Sequence, residues 1–463
     1  MGSFTTLQPQ RSVLDMIGNT PVLEVTKIDT GVARLFLKLE NQNPGGSIKD
    51  RIALSMIDAA ERDGRLKPGG TLVEATAGNT GLGLALVAAQ KGYRMILVIP
   101  DKMSQEKIFH LKALGAQVII TRSDVEKGHP DYYQDKARKI ASETPGGFFV
   151  NQFENPANPA AHETTTAPEI WEQMGHDLDA VVCGVGSGGT ISGIGRYFAK
   201  VSPNVKMILA DPKGSVLAPL VNDGTKITSG SWLVEGIGED YVPENCDLDL
   251  VHKAYTIPDE ESISTARLLL DKEGILCGSS SGTLLSAALR YCREQTEPKR
   301  VVTLVCDSGN KYLSKIYNPY WLNDNGLTPQ DLTHDLRDLI ARPFLRGEVV
   351  WSSQQETLQQ VYSKMRQFDI SHIPVLDQGH LVGLIDETGL LLYILGNESG
   401  FSVKVGQLMK REVETIDVRA SLDELVPLLE RSGVAYVTDR DQFLGLITPV
   451  DFLNYLRRRT GQS

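Results

Sequence analysis

The sequence predicts a two-lobed α/β domain with parallel-type sheets, followed by a smaller α+β module built as a pair. Between about Asp15 and Leu322, short and strongly apolar strand-like runs alternate with helical patterns. Strands of this kind, separated by helices, are typical of parallel sheets that are covered on both faces. A break at 323–329, rich in Gly, Pro, Asn and Asp, ends this pattern, and an internal repeat follows it.

The strand-like runs of the first domain are short and rich in aliphatic residues. In chain order they cover 34–39, 71–74, 95–99, 118–120, 180–183, 207–210 and 301–305, with helical patterns at 81–91 and 104–114 between them. Several runs lie on each side of residue 150. This predicts two lobes with a ligand site in the cleft between them.

The repeat begins in the last third of the chain, where the segment 374–385 reappears as 436–447 without a gap. Helical segments precede and follow each copy, at 356–366, 389–395, 422–431 and 450–456. Two copies of about sixty residues are too small to be stable solenoid units, so a closely paired module is predicted. The predicted domains are 1–325, a linker at 326–342, a first repeat at 343–397 and a second repeat at 398–463.

Composition and charge restrict the class of protein. The chain has 463 residues, 41% hydrophobic and 23% charged, as in ordinary globular proteins. A formal net charge of −11 argues against a general binder of nucleic acid or of anionic membranes. Five scattered cysteines, and no apolar run of signal or membrane length, predict a cytoplasmic protein with free thiols. The eight dispersed histidines predict no metal site.

One short stretch predicts a reactive amine. The run from Asn43 to Arg51 reads as a loop that turns into a helix, with Lys49 in the first turn. Ser47 is a good N-cap, and Asp50 follows as in a short capping box. The positive end of the helix dipole repels an ammonium group there. The same repulsion lowers the pKa of the amine, which suits a group that attacks a carbonyl or forms a Schiff base.

Two glycine-containing loops follow strand-like runs, where parallel sheets hold ligands. The loop 76–81 offers backbone amides and polar side chains to a carboxylate or a phenolic oxygen, and it also fits a plain turn with an N-cap. The loop 184–190 contains four glycines, whose amides form a nest for an anion, so we predict phosphate binding there. Asp211 ends the next strand-like run some twenty residues later, where a dinucleotide-binding fold has the acid that binds ribose. A nicotinamide dinucleotide site is therefore the alternative.

A third loop, 277–283, carries three serines ahead of a helix predicted to start near Leu284. Such serines are normally helix caps. Gln152 follows a strand-like run and is placed to point a neutral amide into the cleft, whereas His162 has no specific signal. An activated lysine, a phosphate nest, an asparagine loop and a serine at a helix start together match the needs of a phosphate-bearing aldehyde cofactor.

The motifs N-P-G-G-S-I-K-D-R, T-A-G-N-T-G, G-S-G-G-T and C-G-S-S-S-G resemble those of the β-family (fold type II) of pyridoxal-phosphate enzymes, over about residues 12–322. The resemblance implies pyridoxal 5′-phosphate as the cofactor and Lys49 as its Schiff-base lysine and proton shuttle. It also implies that Asn79 binds the 3′-oxygen, that Ser280 faces the ring nitrogen, and that the phosphate loop consists of Gly186, Ser187, Gly188, Gly189 and Thr190. The substrate-binding positions that it implies are Thr76, Ala77, Gly78, Asn79, Thr80, Gln152, Glu235 and Gly236.

Within this family, three features resemble the cystathionine β-synthases more than the cysteine synthases: the loop 234–238, the segment 210–215, and a tail that resembles a pair of CBS (Bateman) domains. They imply a β-replacement that condenses L-serine or L-cysteine with L-homocysteine to cystathionine, with hydrogen sulfide released from cysteine. A cysteine synthase that uses O-acetylserine and sulfide, and a non-catalytic adenosyl-nucleotide sensor, are the alternatives. Ala77 stands where many relatives have serine, and the short arm before Ser12 predicts no haem.

The tail carries one finer signal. In nucleotide-binding modules of this type, a T-x-x-D motif after the last strand places the aspartate on ribose hydroxyls. The second repeat has this motif at Thr448 and Asp451, whereas the first has Asp386 and Gly389. The resemblance implies one site for S-adenosylmethionine or an adenine nucleotide, and a module that only dimerises is the alternative. We expect a homodimer, or a tetramer assembled through the module, without nucleic-acid or membrane partners.

Overall fold

The computed structural model describes residues 10–76, 78–101, 105–125, 128–328, 333–396 and 400–460. The chain divides into two compact units, one ending at Tyr317 and the other beginning at Asn318. The first unit is an α/β domain with parallel sheets, and the second is a paired α+β module. The predicted fold class is confirmed.

The first unit alternates strands and helices. Its strands are β1 (Val22–Glu24), β2 (Arg34–Lys38), β3 (Thr71–Glu74), β4 (Arg94–Pro100), β5 (Gln117–Thr121), β6 (Gly147–Phe149), β7 (Ala180–Cys183), β8 (Lys206–Pro212), β9 (Lys253–Ile257) and β10 (Arg300–Leu304). Its α-helices are α1 (Lys49–Arg62), α2 (Asn79–Lys91), α3 (Gln105–Ala113), α4 (Tyr133–Glu143), α5 (Ala157–Ala161), α6 (Ala167–Gln173), α7 (Gly189–Val201), α8 (Leu217–Asp223), α9 (Asp259–Glu273) and α10 (Ser279–Arg293). A π-helical turn at His162–Thr166 joins α5 to α6, and short 3₁₀ turns lie at Val13–Met16, Glu40–Gln42, Leu248–Leu250 and Gly309–Lys311.

Two sheets form the two predicted lobes. The larger has the order β1-β2-β10-β7-β8-β9, in which β1 runs antiparallel to β2 and the other pairs are parallel. The smaller is fully parallel, with the order β5-β4-β3-β6. Both β1 and β2 precede residue 150, yet they join the later strands, because β2 pairs with β10 and places Arg34 opposite Arg300. Position along the chain therefore does not by itself divide the lobes.

A buried cluster of charged side chains joins β2, α1 and α6. The Arg51 guanidinium donates to the two carboxylate oxygens of Glu40, at 2.7 and 2.8 Å, and to Glu169 at 2.7 Å. The Lys38 side chain is fully buried and also donates to Glu169, at 2.7 Å. Opposite charges compensate one another for the loss of solvation, so the cluster anchors the helix that begins at Lys49.

The second unit contains two repeats, each with a helix, a β-hairpin and a second helix. Its helices are α11 (Pro319–Asp324), α12 (Leu358–Phe368), α13 (Glu387–Leu395), α14 (Val405–Leu408), α15 (Leu422–Ser432) and α16 (Pro449–Thr460). Its strands are β11 (His372–Asp377), β12 (His380–Asp386), β13 (Thr415–Asp417), β14 (Ala435–Asp439) and β15 (Gln442–Ile447), and its 3₁₀ turns are Leu336–Leu339, Phe344–Arg346 and Gly400–Ser402. Leu336, Leu339 and Ile340, within the predicted linker, are buried in the core of the second repeat.

Fully buried aliphatic side chains hold both sheets of the first unit in place, for example Leu35 and Val181 in the larger sheet and Leu72 and Leu97 in the smaller. All five cysteines are free thiols, as predicted, and four of them are buried. None of the described helices has the length and the apolar character that a membrane span requires.

Candidate active site

A cavity of about 290 Å³ lies in the first unit, where loops from both sheets come together. The loops after β3 and β6 contribute from the smaller sheet, and those after β7 and β10 contribute from the larger. The predicted site residues that line it are Lys49, Thr76, Gly78, Asn79, Thr80, Gln152, Gly186, Ser187, Gly188, Gly189, Thr190, Gly236 and Ser280. Ala77 lies outside the described residues, and Glu235 lines a neighbouring cavity.

Lys49 is the first residue of α1 and lies half-buried at the cavity. Its Nζ has neither a hydrogen bond nor an ion pair within the described part of the chain. Burial lowers the pKa of this amine, against the opposing effects of Cys306 and Asp307. Burial is thus the main cause of the lowered pKa, whereas the sequence pattern indicated the helix dipole. A neutral amine is the form that attacks a carbonyl carbon or accepts a proton.

The start of α1 differs in detail from the predicted cap. Ile48, in a helical conformation, takes the N-cap position, while the Ser47 hydroxyl accepts from the Lys49 N–H at 3.3 Å. The Asp50 carboxylate accepts from the Gly45 N–H at 2.5 Å instead of closing a capping box on Ser47. This bond holds the preceding loop against the helix start, beside Lys49.

The loop between β7 and α7 presents unpaired backbone amides to the cavity. Within the described residues, none of the five amides from Gly186 to Thr190 donates a hydrogen bond. Gly188 has a left-handed φ of 81°, and a Cβ on Gly189 would lie 1.9 Å from Asn158 Oδ1. Glycine is therefore required at both positions. Converging amides at the start of a long helix suit an anion such as a phosphate.

His162 supports this loop, although the sequence pattern gives it no role. It is fully buried, with Nδ1 2.9 Å from Thr166 Oγ1 and Nε2 3.2 Å from Thr190 Oγ1. Burial holds the pKa of the imidazole well below its usual range, so the ring is neutral. A neutral ring donates through one nitrogen and accepts through the other, and it thereby orients the Thr190 hydroxyl. The Ser187 hydroxyl is oriented by Asn158 Nδ2, from which it accepts at 2.9 Å.

Asn79, at the start of α2, is held between two charged side chains from the segment after β10. Its Oδ1 accepts from Lys311 Nζ at 2.7 Å, and its Nδ2 donates to Asp307 Oδ2 at 2.8 Å. An ammonium group only donates and a carboxylate only accepts, so these contacts fix the orientation of the amide. Asp307 is fully buried and also accepts from the Tyr312 hydroxyl at 2.7 Å. Sequence reasoning missed these partners, which lie 228 or more residues away.

The loop after β3 and the segment after β6 meet in the cavity. Thr80 Oγ1 donates to Gln152 Oε1 at 2.6 Å, and Thr76 Oγ1 accepts from the Gly78 N–H at 3.1 Å. Glu74 ties the two segments together, because its carboxyl accepts from the Gln152 N–H at 3.1 Å. Burial raises the pKa of Glu74 to about 7. The Thr76 hydroxyl and the N–H groups of the Gln152 side chain remain as donors of the kind that a substrate carboxylate requires.

The three serines of the third loop have different partners. The helix α10 begins at Ser279, five residues earlier than predicted, so the serines form its first turn. The Ser279 hydroxyl accepts from the Glu235 N–H at 3.0 Å, and the Ser281 hydroxyl accepts from the Cys306 N–H at 2.9 Å. Ser280 lines the cavity. Its hydroxyl interacts with the Cys306 thiol, which lines the same cavity, so Ser280 is the serine that a ligand can reach.

Glu235 is placed beside the cavity, in a neighbouring cavity of about 560 Å³. Its carboxylate pairs with Lys107 and with Lys315 Nζ, the latter at 2.6 Å. Burial opposes ionisation of Glu235, but these two lysines outweigh it and lower the pKa of the carboxyl. Gly236 lines both cavities and so connects them.

Two other kinds of site receive no support from the geometry. Asp211, on which a dinucleotide site would depend, is fully buried, accepts from the Ala218 N–H at 2.8 Å and is not part of the cavity lining. Among the described residues, no group of histidine, cysteine, aspartate and glutamate side chains could hold a metal ion. The residues that do line the cavity fit a phosphate-bearing aldehyde, with an unpaired amine for the aldehyde carbon and unpaired amides for the phosphate.

Comparison with known proteins decides the family. Residues 13–307 match the family of pyridoxal-phosphate dependent enzymes, and residues 337–396 and 405–458 match the CBS domain. A cystathionine beta-synthase of Apis mellifera is 35% identical over 469 residues, which cover 99% of this chain and 92% of the relative. One of Dictyostelium discoideum is 36% identical over 461 residues, with 96% and 92% coverage. The chain belongs to the cystathionine β-synthase family.

Solved structures agree with this family for the first unit. A hydrogen sulfide-producing enzyme from Fusobacterium nucleatum is 37% identical, with a TM-score of 0.61, and covers 66% of this chain and 100% of its own. An O-ureido-L-serine synthase is 33% identical, with a TM-score of 0.63, and covers 67% and 96%. Like its family, the protein is an enzyme that uses pyridoxal 5′-phosphate, as predicted. The relatives favour the cystathionine β-synthase interpretation over a cysteine synthase or a non-catalytic sensor.

The CBS-domain tail, a second feature of the cystathionine β-synthase family, contains the predicted nucleotide motif. In the second repeat, Asp451 Oδ2 accepts from the N–H and the hydroxyl of Thr448, each at 2.7 Å, at the start of α16. In the first repeat, Asp386 takes the place of Thr448 and pairs with Lys410 at 2.5 Å. Gly389 takes the place of Asp451 and supplies no carboxylate. The two repeats therefore differ at the position on which the nucleotide prediction depends.

Proposed function

We propose that the protein catalyses a β-replacement in which L-homocysteine displaces the hydroxyl group of L-serine, or the thiol group of L-cysteine, to form cystathionine. Water or hydrogen sulfide is the second product. The observation that carries the proposal is the single cavity that holds an unpaired lysine amine, five unpaired loop amides and a set of carboxylate donors. The names of the full-length relatives support the choice of substrates.

The residues around the cavity suggest how the cofactor would be held. Lys49 would hold its aldehyde carbon, and the amides from Gly186 to Thr190 its phosphate. Asn79 would contact its 3′-oxygen, and the Ser280 hydroxyl its ring nitrogen. When bound, the cofactor supplies an electron sink beside the α-carbon of the amino acid. A neutral hydroxyl partner leaves the ring nitrogen unprotonated, which keeps this electron sink mild.

Substrate positioning falls to the loop after β3 and to the segment after β6. Thr76, Gly78, Thr80 and Gln152 would hold the amino acid carboxylate, together with the Asn79 backbone amide. With the carboxylate fixed, the α-proton is brought to Lys49. Because burial favours the neutral form of this amine, Lys49 Nζ accepts the α-proton and later returns it.

The direct test is a pair of assays on the purified full-length protein. We expect cystathionine to form from serine and homocysteine faster than cysteine forms from O-acetylserine and sulfide. Lys49→Ala should lose both the visible absorbance of the bound cofactor and the β-replacement activity. Lys67→Ala, which changes an exposed lysine just beyond the end of the same helix, is the matched control. A Lys49→Ala protein with full activity would refute the assignment.

We also propose that the tail binds one adenosyl ligand through Thr448 and Asp451. The described contacts of the Asp451 carboxylate use Oδ2, which leaves Oδ1 for ribose hydroxyls, whereas the first repeat has Gly389 at this position. Titration calorimetry of the full chain with S-adenosylmethionine, ATP and AMP tests this. We expect one site per chain, which Asp451→Ala abolishes. Binding that persists in Asp451→Ala would place the ligand elsewhere.

The remaining sequence-based expectations are also proposals. We propose that the protein acts in the cytoplasm as a homodimer, or as a tetramer assembled through its CBS domains. Free thiols and an acidic net charge support this view. Analytical ultracentrifugation over a range of concentrations, with and without the tail ligand, measures the assembly state.

A further inference from the structure

We propose that Glu239 is a second acid–base residue of the active-site cavity, and that it protonates the hydroxyl group of serine as this group leaves. The inference rests on the proposed β-replacement and assigns a role that the family motifs do not cover. Glu239 lines the same cavity as Lys49 and Gly236. Among the described residues of this lining, it carries the one carboxyl group.

The backbone around Glu239 fixes its position. Its N–H donates to Ser215 Oγ at 3.1 Å, and its C=O accepts from Ser215 Oγ at 3.2 Å and from the Val216 N–H at 3.0 Å. With both backbone groups engaged on one side, the carboxyl is the polar group that remains for the cavity. Within the described part of the chain, this carboxyl has neither a hydrogen bond nor an ion pair. An unpaired carboxyl in an active-site cavity is a candidate for proton transfer.

The surroundings of Glu239 favour its protonated form. Burial raises the pKa of Glu239 to about 8, and the nearby acids Asp240 and Asp211 add to this effect. The titratable groups that interact with it are Asp211, Asp240, Tyr132, Tyr241 and Cys246, and this set contains no cation. Glu235, only four residues earlier, has two lysine partners and a lowered pKa. The loop thus carries one ionised and one protonated glutamate at neutral pH.

A protonated carboxyl is what the departure of hydroxide requires. When the bond between Cβ and the serine oxygen breaks, the electron pair stays on oxygen, which is a poor leaving group without a proton. Glu239 gives its proton to this oxygen, and water leaves. The homocysteine thiol then gives its proton to the Glu239 carboxylate as the bond between sulfur and Cβ forms. Lys49 meanwhile keeps the α-proton for return to the α-carbon, so both residues end as they began.

The test compares first substrates that differ in the leaving group. With homocysteine as the second substrate, we expect Glu239→Gln to lower kcat for L-serine about 100-fold or more, as for loss of a general acid. With β-chloro-L-alanine the decrease should be only a few-fold, because chloride leaves without a proton. For L-cysteine, whose sulfide leaving group depends less on protonation than hydroxide does, the decrease in kcat should lie between these two values.

The pH profile gives a second readout that a purely structural role would not change. For the wild-type protein, kcat with serine should fall as the pH rises through about 8, because Glu239 then loses its proton. Glu239→Gln should lack this fall. Asp240→Asn, which removes a negative neighbour and keeps the acid, should retain serine turnover at neutral pH and move the fall to lower pH.

The outcomes separate this proposal from the proposed function. A wild-type protein that forms cystathionine from none of these substrates refutes the β-replacement and, with it, the role of Glu239. A wild-type protein that is active, with equal losses for serine and β-chloro-L-alanine in Glu239→Gln, refutes only the role of Glu239. Should Glu239→Gln lose the absorbance of the bound cofactor, Glu239→Asp replaces it. Because Glu239→Asp keeps a carboxyl group, it should still turn over serine, with the decrease in kcat at a different pH from that of the wild type. A pH profile identical to that of the wild type refutes the proposal.

Discussion

Replacing Lys311 with methionine tests how the active-site asparagine is held. Lys311 Nζ donates to Asn79 Oδ1 at 2.7 Å, while Asn79 Nδ2 donates to Asp307 Oδ2 at 2.8 Å. Methionine keeps the length of the side chain but cannot donate. The Asn79 amide then loses the partner that fixes its oxygen, and the buried Asp307 carboxylate loses the nearby charge that opposes its raised pKa.

The expected size of the effect follows from the kind of bond that is lost. A hydrogen bond to a charged group contributes about 1.5–3 kcal/mol. If Asn79 must be preoriented to contact the cofactor, the lower value already corresponds to an increase in the cofactor Kd of about tenfold. Titration of the apoprotein with pyridoxal 5′-phosphate, followed by visible absorbance, measures this Kd directly and does not depend on turnover.

The controls distinguish an oriented amide from a general loss of charge. Lys315→Met removes an ammonium group that pairs with Glu235 instead of Asn79, so the cofactor Kd should stay close to that of the wild type. Asn79→Ala should weaken cofactor binding by itself. Addition of Lys311→Met to Asn79→Ala should then change the cofactor Kd little further, because the effects of substitutions at two residues that act together are not additive. Full additivity of the two changes would refute the role of Lys311 in orienting Asn79.

Three further changes probe the loop and its supports. His162→Ala removes the partner of the Thr190 hydroxyl and should raise the cofactor Kd by an amount that does not vary across physiological pH, because the imidazole is already neutral. Gly189→Ala places a Cβ 1.9 Å from Asn158 Oδ1 and should cost about 1–3 kcal/mol, measured by urea unfolding. Arg51→Met leaves the buried Glu40 without its charged partner and takes one of two cations from the part-buried Glu169, so it should cost about 3–5 kcal/mol in the same assay. A cost below about 1 kcal/mol would contradict this reasoning.

The sequence predicted most strands of the first unit, because buried parallel strands are short, apolar and bounded by loops. The runs 71–74 and 180–183 match β3 and β7 residue for residue, and the others differ by one or two residues at their ends. The order of the strands within each sheet could not be predicted in this way. The pairing of β2 with β10 joins segments more than 260 residues apart. The local sequence pattern does not indicate which apolar strands pair with each other.

The site shows the same division between local and long-range information. Lys49 and the glycine loops are found in sequence because their chemistry depends on neighbours along the chain, such as a helix start or successive amides. Lys311, Asp307 and His162 act on residues that are distant in sequence, so their roles appear only once the fold brings them together. The pKa of Lys49 illustrates the point, because burial by the whole domain outweighs the helix end that the sequence displays.

Burial also explains how a cavity with so few charges can serve the anionic cofactor and the acid–base reaction that we propose for it. Lys49 is the one lysine or arginine among the described lining residues, and burial favours its neutral form, as it does for His162 behind the loop. A phosphate in this cavity must therefore be met by amides and hydroxyls. Those groups neither titrate nor neutralise the substrate carboxylate. The absence of a competing cation is also what allows Glu239 to keep its proton, whereas the lysines that ionise Glu235 are kept in the neighbouring cavity. The separation of these two glutamates between the cavities thus sets which of them can act as an acid.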